Sequence, residues 1–183
     1  SGHGIGGELT WHELSQLDAG SWHSRQYAGE PLPTLQNIAN YCTRNGHALN
    51  IEIKPTPGTD SLTGQVVAEH AAKLWTSAEV PPLLTSFQPD ALDAAQKAAP
   101  HLPRGLLLDS LWKGWLETAL SLDCVAIVCN HALWDPSTVT QAKSAGFKTL
   151  SYTINDEWAA QRLIDLETDG IITDRVDRFS PAI

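Results

Sequence analysis

The chain has no apolar run approaching the roughly 18 residues a membrane-spanning helix requires. Its first residues, Ser1 to Gly7, lack the basic start and apolar stretch of a signal peptide. They read as a turn or loop in mid-chain. Basic residues are few: 12 Lys and Arg stand against 21 Asp and Glu, for a formal charge of −9. That balance argues against a general nucleic-acid or anionic-membrane surface. A small anionic substrate stays open, because a metal ion reverses the field around it. Cysteine is scarce, and Cys42, Cys124 and Cys129 give neither a disulfide framework nor a zinc knuckle. Cys124 and Cys129 lie in an apolar run and read as core thiols, which points to a reducing cytoplasm. The seven histidines show no His-x-x-x-His spacing, so a zinc site is not expected. No Gly-x-Ser-x-Gly elbow is present, which argues against a serine hydrolase triad.

What the chain does have is alternation. Its 183 residues are 42% hydrophobic and 18% charged, enough for one domain with a sizeable core. Short β-rich runs recur at 49–54, 83–87, 105–109, 124–130, 149–155 and 170–174. They are mostly apolar and bounded by Gly, Pro, Asn or Asp, as parallel strands covered on both faces should be. Helical patterns fill the gaps at 35–45, 63–75, 89–99, 112–122, 136–145 and 156–166. The sum is about six βα units. A doubly wound open sheet would carry a Gly-rich phosphate turn after an early strand, and none is present. The alternative is an α/β fold of the TIM type, a (β/α)₈ barrel of typically about 250 residues. The expectation is therefore an incomplete barrel, strands 3–8 of eight, with the first two absent and 1–183 forming the C-terminal portion of one barrel domain.

In such a barrel the chemistry sits at the C-terminal ends of the strands. That rule selects Glu52 and Lys54, Ser86 and Phe87, Asp109, Asn130 and His131, Tyr152 and Asn155, and Thr173 and Asp174. Glu52 and Lys54 form the sharpest pair, because residues two apart on a strand share a face. A carboxylate suits a hard cation and a lysine suits a phosphate. An internal ion pair closing the barrel top explains the same spacing. Phe87 and Tyr152 wall a pocket or simply join the core. Asn130 and His131 line the pocket, or the histidine is structural. Asp109 and Asp174 read first as helix caps. The seven tryptophans are many for this length, and most are expected to pack under the helices. Trp22, in a Gly/Ser loop, is the exception.

Four ordered segments resemble the glycerophosphodiester phosphodiesterase family. They are Leu17-Asp18-Ala19-Gly20-Ser21-Trp22, then Gly29-Glu30-Pro31-Leu32-Pro33-Thr34-Leu35, then Asn50-Ile51-Glu52-Ile53-Lys54-Pro55, and finally Tyr152-Thr153-Ile154-Asn155 followed by Gly170-Ile171-Ile172-Thr173-Asp174. The likeness runs along the whole chain and is strongest to the family's cytosolic bacterial members. It implies a TIM-type barrel that cleaves small glycerophosphodiesters to sn-glycerol 3-phosphate and an alcohol, using Mg²⁺ or Ca²⁺. It implies Glu52 as a metal ligand, Lys54 at the phosphate, and Phe87 and Tyr152 around the substrate; Asn130 joins them as a substrate-binding candidate from its strand-end position. Nucleic acid and membrane insertion are not expected.

The departures from the family pattern are specific. The two family histidines, in His-Arg-Gly and His-Asp motifs, do not occur in this sequence, and the Glu-x-Asp metal ligands of the family's second-strand region are absent too. A proton-transferring group is typically worth about 10²–10⁴-fold, so this chain alone is expected to be inactive and the protein with the missing strands active. The alternatives are a non-catalytic barrel remnant that binds a partner, or a related phospholipase.

Overall fold

The computed structural model describes residues 2–179. Among them six strands form one parallel sheet in sequence order: β1 (Asn50–Glu52), β2 (Leu83–Ser86), β3 (Arg104–Leu108), β4 (Ala126–Asn130), β5 (Lys148–Tyr152) and β6 (Gly170–Ile171). Each overlaps a run anticipated from composition; β3 and β5 begin one residue earlier than theirs, at Arg104 and Lys148. Strictly sequential parallel order needs a crossover of one hand between every pair, and that repetition curls the sheet into a half-barrel. The outer edges of β1 and β6 have no strand partner among the described residues.

Seven helices accompany the strands. They are α1 (Trp11–Leu14), α2 (Leu35–Asn45), α3 (Asp60–Leu74), α4 (Pro89–Ala98), α5 (Trp115–Ser121), α6 (Pro136–Ser144) and α7 (Glu157–Asp165). Six match anticipated helices, and local chemistry explains their ends. Thr34 accepts from the Asn37 amide to cap α2, and Asp135 does the same for α6 through Thr138. Pro89 and Pro136 sit in the first turns of α4 and α6, where a missing N–H is harmless. α5 starts three residues later than its apolar pattern indicates. Gly114, at φ +95°, breaks the helical path, so Trp112 lies in the preceding turn. The short α1 carries no long periodic signal, but Thr10 and Glu13 close a capping box around it.

The helices cover one face of the sheet in two adjoining clusters. Ile53, Leu84, Trp75 and Leu102 pack with α2, α3 and α4. Leu106, Leu108, Ile127, Trp134, Ile154 and Leu163 pack with α5, α6 and α7. Cys124 and Cys129 join the second cluster, and burial pushes both thiols up to about 12. Arg104 is a buried charge at the N-terminal end of β3. Its guanidinium donates to the carbonyl oxygens of Leu102 (2.6 Å) and Leu122 (3.1 Å), so its polar atoms are paired. The expected placement of the tryptophans needs correction. Trp75, Trp115 and Trp134 are buried, while Trp11, Trp22, Trp112 and Trp158 are exposed. The exposed four lie on α1, in two turns and on the outward face of α7, where no second layer covers them.

Candidate active site

Strand alternation decides which residues meet. Ile53, Leu84, Leu106, Ile127 and Cys129 face the helices. Their neighbours in sequence face the concave side, by the two-residue period of the pleat. The register pairs Glu52 with Thr85, Ser86 with Leu106, Leu108 with Cys129, and Asn130 with Tyr152. Glu52, Phe87, Asp109, Asn130 and Tyr152 therefore share one face near the C-terminal ends of five neighbouring strands.

A cleft of about 460 Å³ opens there, lined by Glu52, Lys54, Phe87, Asp109 and Trp112 among others. Neither Glu52 nor Lys54 makes an ion pair with any described residue. The pair is thus not an internal salt bridge; acid and base both face the cleft. Ser86 fixes the loop between them. Its hydroxyl donates to the Ile53 carbonyl at 2.7 Å and accepts from the Gln88 amide at 3.1 Å. Phe87 meets Tyr152 edge to face, with ring centres 5.8 Å apart. The Tyr152 hydroxyl donates to the Leu108 carbonyl at 2.9 Å, which fixes the ring between β3 and β5. Burial and the nearby carboxylates of Asp109 and Glu52 raise the Tyr152 pKa, so it stays a neutral donor.

Two cap assignments change. Asp109 caps no helix, because α5 begins beyond Gly114. Its carboxylate lies on the cleft and accepts from the Ser110 hydroxyl at 3.1 Å. Asp174 accepts from the Asn155 side chain at 3.1 Å, while Thr173 donates to the other end of that amide, tying β5 to β6. Asn130 shares the concave face but is absent from the cleft lining; its side-chain oxygen accepts from the Ala132 amide. His131 lies in the 3-10 turn after β4, edge-on to Trp158 at 6.4 Å. Trp112 was not singled out from sequence for the site. Its position just past a strand end was the available signal.

A second cleft of about 430 Å³, lined by Cys42, His47, Lys73 and Glu79 among others, lies at the N-terminal ends of the strands. Active sites of parallel barrels form at the opposite ends, so this groove is not assigned to the reaction.

The segment from 17 to 31 is folded around Asp18. Its carboxylate accepts from the Ser21 hydroxyl, from the Ser21 and Gly20 amides (both 2.9 Å) and from the Gly29 amide at 3.0 Å. A Cβ at Gly20 would lie 1.8 Å from the Tyr27 carbonyl oxygen, so only glycine fits. The hydrogen bonds from Ser21, Gly29 and Gly20 hold the Asp18 carboxyl well below the usual carboxylate range. A depressed folded pKa contributes stability that is complete above the unfolded value of about 3.9 and is lost as pH falls toward the folded value. The stability difference between wild type and Asp18→Asn should therefore shrink as pH is lowered from about 5 to 2. Urea unfolding across that range measures it, and a gap that does not change with pH refutes the assignment.

A hard divalent ion takes six or more oxygen ligands. Among the described residues no group of three or more His, Cys, Asp or Glu side chains is gathered to hold a metal. Glu52 and Asp109 supply carboxylates of suitable chemistry on one cleft, and by themselves they do not complete such a shell.

With this geometry in view, three comparisons bear on ancestry. The model of the glycerophosphoryl diester phosphodiesterase family matches residues 3–178. A glycerophosphodiester phosphodiesterase of Caldanaerobacter subterraneus subsp. tengcongensis is 29% identical over 179 residues, covering 95% of this chain and 71% of that protein. A phosphodiesterase of Oleispira antarctica, solved in complex with the product sn-glycerol-3-phosphate, superposes with a TM-score of 0.85 at 31% identity. That match covers 94% of this chain and 70% of the solved one. A glycerophosphodiester phosphodiesterase from Agrobacterium tumefaciens shares the fold, with a TM-score of 0.78 at 24% identity over 99% of this chain and 75% of its own. The order of the strands, the Glu52–Lys54 pair at the end of the first of them and the match along almost every described residue have one source: the chain belongs to the glycerophosphoryl diester phosphodiesterase family.

Proposed function

We propose that the protein hydrolyses glycerophosphodiesters to sn-glycerol 3-phosphate and an alcohol. The observation that carries this reading is the convergence of Glu52 and Lys54, neither paired with a described residue, on one strand-end cleft in a chain of this family. In the proposed enzyme Lys54 neutralises the phosphodiester. Its ammonium is a mobile point charge, suited to an anion that gains negative charge during displacement. Phe87 and Tyr152 flank the carbon skeleton of the substrate. Asn130 is proposed as a further substrate contact through its NH₂ group, although it lies one strand beyond the cleft lining and its side-chain oxygen is engaged by Ala132. Mg²⁺ or Ca²⁺ is the proposed metal, with Glu52 as one carboxylate ligand among several.

The six strands are proposed to be strands 3–8 of a TIM-type barrel, a reading supported by the outer edges of β1 and β6, which have no strand partner among the described residues. A cytoplasmic location is proposed as well; Cys42, Cys124 and Cys129 are all free and buried. No helix among the described residues is long and apolar enough to cross a membrane.

The test compares this chain with the same chain extended upstream through the two further strands. Each is assayed for glycerol 3-phosphate release from glycerophosphocholine with Mg²⁺ or Ca²⁺. Activity is expected only in the extended protein, since the family histidines are absent here. Inactivity of both favours a non-catalytic barrel remnant that binds a partner. Activity in the short chain overturns the role given to the absent histidines.

A further inference from the structure

The sheet stops holding the chain where the cleft begins, at the end of β1. The Leu83 amide donates to the Leu49 carbonyl at 2.9 Å, and the Ile53 amide donates to the Thr85 carbonyl at 2.6 Å. Hydrogen bonds of a parallel ladder recur every two residues along each strand, so the next one due joins the Phe87 amide to the Ile53 carbonyl. It is not formed. The Ser86 hydroxyl donates to that carbonyl instead, at 2.7 Å. Phe87 leaves the ladder for the cleft, and its amide has no hydrogen-bond partner among the described residues. The same hydroxyl accepts from the Gln88 amide at 3.1 Å, one residue before α4.

The carbonyl that Ser86 holds belongs to the peptide leading into Lys54. Lys54 lies beyond the last residue of β1, is exposed, and makes no ion pair with a described residue. Pro55 follows it and has no N–H to anchor the backbone. The two bonds to Ile53 are therefore the last backbone anchors before the lysine. A lysine side chain is flexible, so the reach of its ammonium is set by where its Cα is held. Ser86 itself is 0% exposed, which keeps it from touching substrate or metal. It joins β1 to β2, away from the outer edge of β1 where the further strands are proposed. Its donor and acceptor bonds are both made within the described residues, whatever lies beyond that edge.

We propose that Ser86 is a positioning residue for the reaction: by taking the place of the Phe87 amide on the Ile53 carbonyl, it sets the position of Lys54 at the phosphate. This rests on the hydrolase reading above. A hydroxyl that only satisfied a buried carbonyl would support the fold and nothing more, and the two roles give different results in one experiment.

The experiment is a double-mutant cycle in the protein extended upstream, assayed on glycerophosphocholine with Mg²⁺. Ser86→Ala is expected to lower kcat/KM by about tenfold to a hundredfold, the size of a misplaced catalytic group. In a Lys54→Ala background the same change should cost less than about twofold, because the group it positions is already gone. Ser86→Thr keeps the hydroxyl and should retain most of the wild-type activity. Thermal melts accompany each variant. Ser86→Cys, a weaker donor, stands in for the alanine variant if that one does not fold, with the same pattern expected. An equal loss with and without Lys54 overturns the proposal and leaves Ser86 a structural residue. So does an alanine variant with wild-type kcat/KM, or a folded threonine variant as impaired as the alanine one. Failure of the extended protein to hydrolyse the diester at all brings down the hydrolase reading together with this role. Brisk hydrolysis without coupling between Ser86 and Lys54 removes only the role.

Discussion

In the protein extended upstream, Glu52→Gln should lower kcat/KM for glycerophosphocholine by about 10²–10³-fold while leaving the fold intact. The magnitude is that of removing one group that stabilises charge at the reacting centre, directly or through a metal ion. The selectivity of the effect comes from the structure. Glu52 is exposed at the end of β1, and its side chain has no hydrogen bond or ion pair with any described residue. Nothing in the packing depends on its charge, so stability should move by less than about 0.5 kcal/mol, the range of ordinary surface changes. That corresponds to a shift of about 2 °C or less in melting temperature for a domain of this size. Gln keeps the size and polarity of the side chain and removes the negative charge that a hard cation requires. A carboxylate ligand also predicts a second change: residual activity should need more Mg²⁺ or Ca²⁺ for half-saturation. Wild-type kcat/KM in the variant sinks the role given to Glu52. Loss of activity together with a large drop in melting temperature assigns Glu52 to the fold instead.

The strands were legible because each is an apolar run broken by turn residues, and a parallel sheet under helices demands that composition. Six strands in one sequential order follow from six repeats of the same unit. The helix boundaries were legible where a capping residue or an N-terminal proline marks them, as at Thr34, Pro89 and Pro136. They were less so at α5, where the periodic pattern runs through Trp112 but Gly114 adopts a left-handed conformation that the pattern does not record. Hydrophobic character alone could not place the tryptophans. Trp134 and Trp158 are the same residue type 24 positions apart, one 1% and the other 65% exposed. The difference is the number of layers around them, and that is a property of the assembled fold.

The site was legible to the extent that it obeys strand geometry. Glu52 and Lys54 are two apart, and the pleat brings them to the same cleft. Phe87 and Tyr152 come from strands that are far apart in sequence, yet their rings meet at 5.8 Å because both sit one pleat above the end of a buried run. Asp109 obeys the same rule, but an aspartate after a strand is so often a helix cap that local statistics point the other way. Only the length of the turn before α5 resolves the matter, by carrying the helix out of its reach. Asn130 shows the limit of position alone: it has the right face and the right height, and its side-chain oxygen is already engaged by the turn that follows.

Trp134→Ala should be among the most damaging single changes in the chain, at about 3–5 kcal/mol. The side chain is 1% exposed and packs in the cluster formed by Leu106, Ile127, Ile154 and Leu163. Its indole N–H donates to the Leu150 carbonyl at 3.1 Å, and its own carbonyl accepts from the Arg162 guanidinium at 2.8 Å. Truncation therefore opens a cavity and also leaves the Leu150 oxygen without that donor, and the two losses add. Small domains are stable by only about 5–15 kcal/mol, so a loss of this size removes a large share of the total. Trp158→Ala is the matched comparison. That ring is 65% exposed, and its aromatic neighbour is the His131 ring, met edge-on at 6.4 Å. Its loss should fall within about 0.5 kcal/mol. Urea unfolding followed by far-ultraviolet circular dichroism separates the two. A Trp134→Ala variant within about 1 kcal/mol of wild type would mean that this ring does not pin α6 and α7 to the sheet. The result also bears on the site, because the same ring braces β5, and β5 ends in Tyr152. A strand loosened there should lose the Tyr152–Leu108 hydrogen bond and, with it, the fixed edge against which Phe87 is held.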